Sequence, residues 1–292
     1  MNGLILLDKP EGFTSFKAAA VLRRIYGTKR VGHTGTLDPM ATGVLPILIG
    51  RATRLCSYVL EADKRYTAGV RLGVTTDTLD ITGEVLSQCE PTVSDGQLAD
   101  ALRFFTKTYD QIPPMFSAIK KDGVRLYDLA RQGKEIEREP RTVTIHNIEL
   151  KSRNGNDFVI DVHCSKGTYI RSLADDIGKL LGCGATLISL RRTEAAGFSI
   201  ADCKTVEEIE ADPISCLLPA DRAVQGFRNL NISEAQAKRF MNGAALSVDR
   251  IRFYADAADN ELFKTYTGEQ FLGLSEFDKA SGEITTKCVI AE

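Results

Sequence analysis

The chain has 292 residues, 43% of them hydrophobic, and a formal net charge of -2 at pH 7. This length predicts one large domain and one small domain with enough apolar residues for a sizeable core. The nearly balanced charge does not indicate nucleic-acid binding, and it does not exclude it, because the field of a local cleft matters more than the total charge.

Seven cysteines are scattered along the chain without any Cys-x-x-Cys pair. An odd number and the lack of a framework spacing favour reduced thiols over disulfides or a zinc site. The apolar run at the N-terminus is too short for a signal peptide, and no stretch reaches the length of about 18 apolar residues that a membrane span needs. We therefore predict a cytoplasmic protein with no membrane contact and no metal.

Residues 1–225 alternate between strand-like and helix-like patterns. Residues 3–7 form an apolar run typical of a buried strand, and Thr14-Ser15 then predicts the start of a helix with Phe16 on its apolar face. An Asn-Gly pair predicts a hairpin turn at 154–155. The other expected helices lie over 52–62, over 92–106, where Ser94-Asp95 introduces the helix, and after Ser172. The expected strands lie over 65–73, 142–150 paired with 158–164, and 186–193. The Thr/Asp-rich segment 75–85 is expected to be a turn-rich connection near a site.

Two further segments differ from this pattern. Pro113-Pro114 excludes a helix or a central strand at the start of residues 112–141, where basic residues are nearly balanced by carboxylates. That segment is either a salt-bridged surface excursion or a contact surface. Beyond a boundary near Gln225, residues 226–292 predict a helix and short strands, enough for a small β-rich barrel.

The densest motif lies at residues 31–54, where glycines, threonines and Asp38-Pro39 force turns instead of a regular element. By spacing alone, Asp38 is either a turn-capping residue, the commoner case, or a chemical group with room for a ligand. Arg171, near a predicted helix start, is electrostatically awkward unless an anion faces it. An aspartate beside it would be held as a carboxylate, which suits nucleophilic attack.

The sequence lacks the motifs of several other classes of enzyme. There is no Gly-x-Ser-x-Gly, no phosphate-binding loop and no dinucleotide fingerprint, and the three histidines lie in dissimilar contexts. We therefore expect no nucleotide cofactor. The residues alone support an enzyme that uses one carboxylate on an anionic substrate, and they support it weakly.

Residues 32–45, Gly-His-Thr-Gly-Thr-Leu-Asp-Pro-Met-Ala-Thr-Gly-Val-Leu, resemble the catalytic motif of the TruB family of RNA pseudouridine synthases. Four further matches agree with the family's order: Leu7-Asp8-Lys9-Pro10 with Thr14-Ser15; Lys64-Arg65-Tyr66; Pro113-Pro114 with Ser117-Ala118 and Lys120; and Ser165 to Leu173. The resemblance implies an α+β fold with a mainly antiparallel central sheet flanked by helices and loops. It divides the chain into a catalytic domain, 1–225, with an RNA-gripping insertion at about 112–141, and a PUA-like barrel, 226–292.

The resemblance also implies roles for individual residues. Asp38 would attack the target uridine, at the ribose C1′ or at the base. Tyr66 would stack on the flipped base and help to remove its C5 proton, Arg171 would pair with Asp38, and His33 would fill the space that the nucleotide vacates. The other residues implied to contact RNA are Thr36, Tyr169, Lys120, Arg125, Arg131, Lys9 and Leu190. For Lys9 and Leu190, a core or scaffold role is an equal alternative.

The implied activity is isomerisation of the T-loop uridine of tRNA to pseudouridine, with base flipping and without cofactor or metal. The length resembles that of stand-alone bacterial members, so we expect a monomer that binds the T-arm of tRNA and needs no obligatory protein partner. A non-catalytic RNA-binding or RNA-folding protein is the competing hypothesis. The intact set of Asp38, Tyr66 and Arg171 argues against it.

Overall fold

A computed structural model describes residues 1–59, 62–117, 119–121, 123–134 and 136–291, with only the backbone described for Lys120, Lys121 and Arg125. The side-chain contacts predicted for Lys120 and Arg125 thus lie outside the described residues. No helix in the described part of the chain is long and apolar enough to cross a membrane.

Strands make up most of the regular structure. In chain order they are β1 Gly3–Lys9, β2 Val31–His33, β3 Thr42–Ile49, β4 Lys64–Leu72, β5 Val74–Thr76, β6 Val85–Gln88, β7 Thr108–Gln111, β8 Lys120–Lys121, β9 Val124–Arg125, β10 Arg141–Asn154, β11 Asp157–Cys164, β12 Ala185–Ala195, β13 Phe198–Ser199, β14 Arg228–Asn231, β15 Leu246–Ser247, β16 Leu262–Thr267, β17 Gln270–Asp278 and β18 Glu283–Val289.

The α-helices are short and most begin at a side-chain cap. They are α1 Ser15–Ile25, α2 Cys56–Val59, α3 Asp95–Phe105, α4 Leu126–Ala130, α5 Ile170–Leu180, α6 Val206–Ala211 and α7 Glu234–Met241. The hydroxyl of Thr14 accepts a hydrogen bond from the Lys17 N–H, and Ser94 forms a capping box with Gln97, so these helices begin where the sequence predicted.

The central sheet has the order β1-β3-β12-β4-β11-β10-β7, with β2 beside β3 and β13 beside β12. Neighbouring strands are antiparallel except β3 and β12, which pair in parallel through Thr42 and Gly43 opposite Arg191 and Arg192. The mainly antiparallel α+β architecture agrees with the sequence prediction.

Alternating residues of the central strands face two different cores, as the period of two along a strand requires. Ile5 and Leu7 of β1 pack with the apolar faces of α1, α3 and α5. Leu4 and Leu6 point the other way and pack with Leu274 and other residues of the C-terminal strands. The central sheet is thus covered on both faces, by helices on one and by C-terminal structure on the other.

The C-terminal strands form a five-stranded sheet in the order β14-β16-β17-β18-β15. Its two edge strands do not pair with each other among the described residues, so the small barrel predicted for this part of the chain is a half-barrel. A separate apolar cluster around Phe240 and Phe263 lies under it. Arg51 and Arg54 donate hydrogen bonds to the carbonyls of Ala291 and Val289, which fasten this sheet to the larger one.

Two local predictions were wrong. The helix expected over 52–62 is a 3-10 helix, Gly50–Leu55, followed by the single turn of α2, and residues 60–61 lie outside the described part. Phe16 was assigned to the apolar face of α1, but it is 68% exposed. The buried stripe of α1 runs through Ser15, Ala18 and Leu22, which share one face at helical spacing.

Gly43 permits the parallel contact between β3 and β12. Its φ is +104°, and an added Cβ would lie 2.2 Å from the carbonyl oxygen of Arg192.

Gly43→Ala is expected to lower the free energy of unfolding by about 3 kcal/mol or more, because it adds backbone strain to a steric clash. Gly155→Ala is the control: φ is +59° there and a Cβ would meet nothing within 4 Å, so a loss of about 1 kcal/mol is expected. Equal losses in urea unfolding would contradict this account.

Candidate active site

A cavity of about 270 Å³ opens beside the Asp38 loop, between β4, β12 and the start of α5. Five separate parts of the sequence meet there, and four of them belong to the matched motifs. The lining residues are Gly35, Thr36, Leu37, Asp38, Lys64, Tyr66, Ser117, Gly167, Thr168, Tyr169, Ile170, Arg171, Leu190 and Arg192. Among these described residues there is one carboxylate and no histidine or cysteine, so metal ligands are not gathered at this cavity.

Backbone hydrogen bonds hold the Asp38 loop in place. The hydroxyl of Ser15 accepts from the Leu37 N–H at 2.9 Å and donates to the Leu37 carbonyl at 3.2 Å. The Gly12 N–H donates to the carbonyl of Pro39 at 2.8 Å. Because the loop is fastened on both sides of Asp38, the backbone at that residue is preorganised.

The carboxylate of Asp38 does not cap the turn. It is the backbone carbonyl of Asp38 that accepts the Ala41 N–H, at 3.1 Å, whereas the carboxylate faces the cavity. Its Oδ2 lies 2.9 Å from Nε of Arg171, and about a third of the side chain (34%) is exposed. The turn-capping interpretation is therefore wrong, and the carboxylate is open to a ligand.

Arg171, in the first turn of α5, is 3% exposed and is held by two backbone carbonyls. Nη1 donates to Thr78 at 2.9 Å, and Nη2 donates to Phe116 at 2.7 Å. The third nitrogen, Nε, faces Asp38 as an ion pair, although its N–H does not point at the carboxylate closely enough for a hydrogen bond. A second carboxylate, Asp80, lies 3.7 Å from Nη1, so the cation at a helix start is offset by two anions.

Burial and charge act in opposite directions on Asp38. Burial raises the pKa of its carboxyl, Arg171 lowers it, Asp80 raises it and Lys9 lowers it, and the balance lies above the ordinary aspartate value. The sequence predicted only the effect of Arg171, which lowers the pKa of Asp38 and favours its carboxylate form. The structure adds the desolvation that makes this carboxylate more basic, hence a better nucleophile once ionised.

Tyr66 on β4 is 6% exposed and lines the same cavity. Burial raises the pKa of its phenol, and the neighbouring guanidinium of Arg192 lowers it. The net shift is upward, so the phenol is neutral near neutral pH and presents an uncharged aromatic face. Arg192 is itself fixed by a hydrogen bond from Nε to the Val44 carbonyl, at 2.7 Å.

Lys9 lies in the interior, away from the cavity lining, and is fully buried. Its Nζ donates to the carbonyls of Phe13 at 2.6 Å, Pro10 at 2.9 Å and Pro39 at 3.5 Å. Burial lowers its pKa to about 8. This position favours the scaffold role left open for Lys9, because the ammonium ties two loops together and has no surface from which to reach RNA.

The other predicted residues divide into two groups. Thr36, Tyr169 and Leu190 line the cavity, and Gln111 holds the backbone of Tyr169 through hydrogen bonds to both its N–H and its carbonyl. His33, at the end of β2, is outside the described lining. Burial lowers its pKa, and its Nδ1 has no hydrogen-bond partner among the described residues. Arg131 is exposed away from the cavity, with its guanidinium 5.4 Å from the ring centre of Tyr127.

Sequence reasoning missed Arg192, Asp80 and Lys64. Arg192 could have been found, because it shares a strand face with Leu190 and so points inward with it. The Thr/Asp-rich segment 75–85 was expected only to be a connection near a site, yet it supplies both the Thr78 carbonyl and the Asp80 carboxylate to Arg171. Lys64 lines the cavity next to Tyr66, and burial lowers its pKa.

Family models and individual relatives of this chain point to the same protein family. The model of the TruB family pseudouridylate synthase N-terminal domain matches residues 23–170, and that of the tRNA pseudouridylate synthase B C-terminal domain matches residues 171–225. The chain is 44% identical to tRNA pseudouridine synthase B of Azoarcus sp. (strain BH72), over 100% of this chain and 95% of the relative. It is 46% identical to the protein of the same name from Tolumonas auensis, over 85% and 81% of the two chains.

Solved structures confirm the fold. A chain in an H/ACA RNP bound to a substrate RNA containing 2′-deoxyuridine aligns with a TM-score of 0.76 and 24% identity, over 99% of this chain and 85% of that one. A chain in a Cbf5-Nop10-Gar1 complex aligns with a TM-score of 0.75 and 27% identity, over 99% and 84%. The α+β fold with its mainly antiparallel sheet, as predicted, is thus shared with these proteins.

The carboxylate of Asp80 contributes to the raised pKa of Asp38, which can be tested by substitution. Asp80→Asn removes a negative charge and keeps an oxygen for the hydrogen bonds from Thr78 and Thr82. The pKa of Asp38 is therefore expected to fall, because a neighbouring negative charge that raises it is removed. Carboxyl-carbon NMR titration of aspartate-labelled protein measures the pKa of Asp38 in the variant and in the unaltered protein. Asp256→Asn, in the C-terminal part, should leave that pKa unchanged, and an unchanged or higher value in Asp80→Asn would refute the assignment.

Proposed function

The chain belongs to the TruB family of pseudouridylate synthases, and we propose that it converts the T-loop uridine of tRNA, uridine 55, to pseudouridine. The observation that carries the proposal is the single carboxylate of Asp38, which faces a cavity and is backed by the buried guanidinium of Arg171. Isomerisation breaks the bond from N1 of uracil to ribose C1′ and forms one from C5 to C1′. The C5 proton leaves and N1 gains a proton, so atoms and electrons balance without a second substrate.

Asp38 acts as the nucleophile in this proposal. Its loop is fastened on both sides of the residue, which reduces the reorganisation needed to reach the reacting nucleoside. Arg171 is held by carbonyls of two other segments, so it stabilises the carboxylate in one fixed position. The raised pKa keeps Asp38 basic enough to attack.

Tyr66 supplies the aromatic wall. A neutral phenol ring at the cavity stacks on the uracil. The phenol first donates its proton to N1 of the released uracil, and the phenolate that forms, stabilised by Arg192 beside it, then accepts the C5 proton and becomes the phenol again. Leu190 closes the lining with an apolar side chain. This arrangement binds a flat base and excludes water from it.

A uridine within a folded T-loop must leave its stack to enter this cavity. Extrusion costs a few kcal/mol, and a side chain that fills the vacated space offsets part of that cost. We assign this role to His33, whose pKa is lowered by burial, so that a neutral imidazole meets the RNA. Thr36 and Tyr169 on the lining contact the extruded nucleotide.

We further propose that residues 112–141 and the C-terminal sheet hold the T-arm, with the domain division near residue 225. Arg131 in the first of these segments is exposed and lies beside the ring of Tyr127, a pair suited to contact with phosphate and base. The chain would act as a monomer in the cytoplasm, without an obligatory protein partner.

Asp38→Asn is expected to abolish turnover, because an amide lacks the charge and the nucleophilic oxygen of a carboxylate. Release of tritium from 5-tritiated uridine in tRNA should fall at least 10³-fold, while tRNA binding changes little. Asp157→Asn is the matched control, since this carboxylate pairs with Arg71 elsewhere. Turnover in Asp38→Asn would overturn the role of Asp38, and binding without tritium release by the unaltered protein would favour the RNA-binding hypothesis.

Binding of tRNA is expected to weaken steeply as salt rises, because lysine and arginine contacts to phosphates release counterions. Arg131→Ala should reduce the slope of log affinity against log salt by about one. Lys179→Ala serves as the control. Lys179 forms an ion pair with Asp175 and lies near the last residue of α5, whereas Arg171 lies near its first. Filter binding at several salt concentrations measures both slopes. A flat salt dependence, or the same slope in Arg131→Ala as in the unaltered protein, would contradict the proposed surface.

A further inference from the structure

Two histidines and an aspartate converge at one end of the central sheet, beyond the cavity lining. Nε2 of His146 lies 3.1 Å from Oδ2 of Asp63, and Nε2 of His163 lies 3.9 Å from the same oxygen. The two imidazole rings are 4.7 Å apart, centre to centre. One potential ligand atom from each residue lies within 4.8 Å of the other two.

Strand geometry brings these residues together from distant positions. His163 lies on β11, directly opposite Arg65 of β4, and Asp63 immediately precedes β4. On β10 the register shifts between Ile145, opposite Cys164, and Asn147, opposite His163. His146 is thus the additional residue of a β-bulge. A bulge re-aims a side chain, and here it places the second imidazole beside the first.

We propose that Asp63, His146 and His163 bind a divalent transition-metal ion of the zinc class. Two imidazoles and a carboxylate are ligands that zinc accepts at about 2.0–2.2 Å, which places tetrahedral ligand atoms roughly 3.3 Å apart. The two distances to the Asp63 oxygen lie on either side of that value, so side-chain rotations that draw His163 towards Asp63 and His146 complete the site. Water supplies the fourth ligand, since the three side chains are between 35% and 49% exposed.

The metal would join three adjacent strands, β4, β11 and β10. Asp63 immediately precedes Lys64 and lies three positions before Tyr66. Both Lys64 and Tyr66 line the cavity. A bound ion therefore restrains the start of β4, the strand that carries both. This inference replaces the sequence-based expectation that the protein has no metal site, and it is independent of the proposed reaction.

Other groups nearby do not compete for the ion. Cys164 is fully buried, and burial raises the pKa of its thiol to about 12, so it is not a thiolate near neutral pH. Arg65 faces Asp161 and Glu194, each at 3.9 Å. Metal ions and protons compete for the same ligand atoms, so affinity is expected to fall as the pH is lowered.

Isothermal titration of the chelator-treated, full-length chain with zinc tests the site slightly above neutral pH. One equivalent per chain is expected to bind and to raise the thermal midpoint. His146→Gln, His163→Gln and Asp63→Asn should each weaken binding by roughly tenfold or more. Asp157→Asn, which alters a carboxylate at the far end of β11, should bind as the unaltered protein does.

Cobalt supplies a spectroscopic check that distinguishes this site from the free thiols. The expected spectrum has visible absorption of a tetrahedral ion and no thiolate-to-metal charge-transfer band, and the signal should disappear in His163→Gln. A charge-transfer band would place the metal on a cysteine. That result, no saturable binding at all, or undiminished binding in the two histidine variants would overturn the proposal.

Discussion

The ion pair between Asp38 and Arg171 is the interaction on which the site depends. A carboxylate in a cavity with little water is costly unless a cation accompanies it, and a buried guanidinium is costly unless its donors are used. Arg171 supplies the cation for Asp38 through their ion pair, and carbonyls of residues 78 and 116 accept hydrogen bonds from both of its Nη nitrogens. Segments far apart in sequence must therefore all be in place before the carboxylate has its partner.

The fold supplies those segments through one parallel strand contact in a mainly antiparallel sheet. Where β3 meets β12, Gly43 lets the backbones approach, and the chain that leads into β3 forms the loop that carries Asp38. The same contact places Arg192 between the loop and Tyr66. Packing on both faces of the sheet then holds these elements, so the cavity is a consequence of how the sheet is assembled.

Much of this could be predicted from local patterns. The caps at Thr14 and Ser94 and the Asn-Gly hairpin marked element ends, and the family motif identified the loop of Asp38. What local patterns do not reveal is contact between distant segments, so Asp80 was missed and Asp38 by itself looked like a turn cap. His146 and His163 seemed unrelated for the same reason, since only the strand register and a bulge bring them together.

The most direct test of the central claim is the structure of the Asp38→Asn variant bound to a T-arm stem-loop. The account predicts that the target uridine is extruded into the cavity, with its base against the ring of Tyr66. Either ribose C1′ or the base should lie within about 3.5 Å of the side chain at position 38, with Arg171 still held by its two carbonyls. A uridine that remains stacked in the loop, or one bound away from position 38, would contradict it.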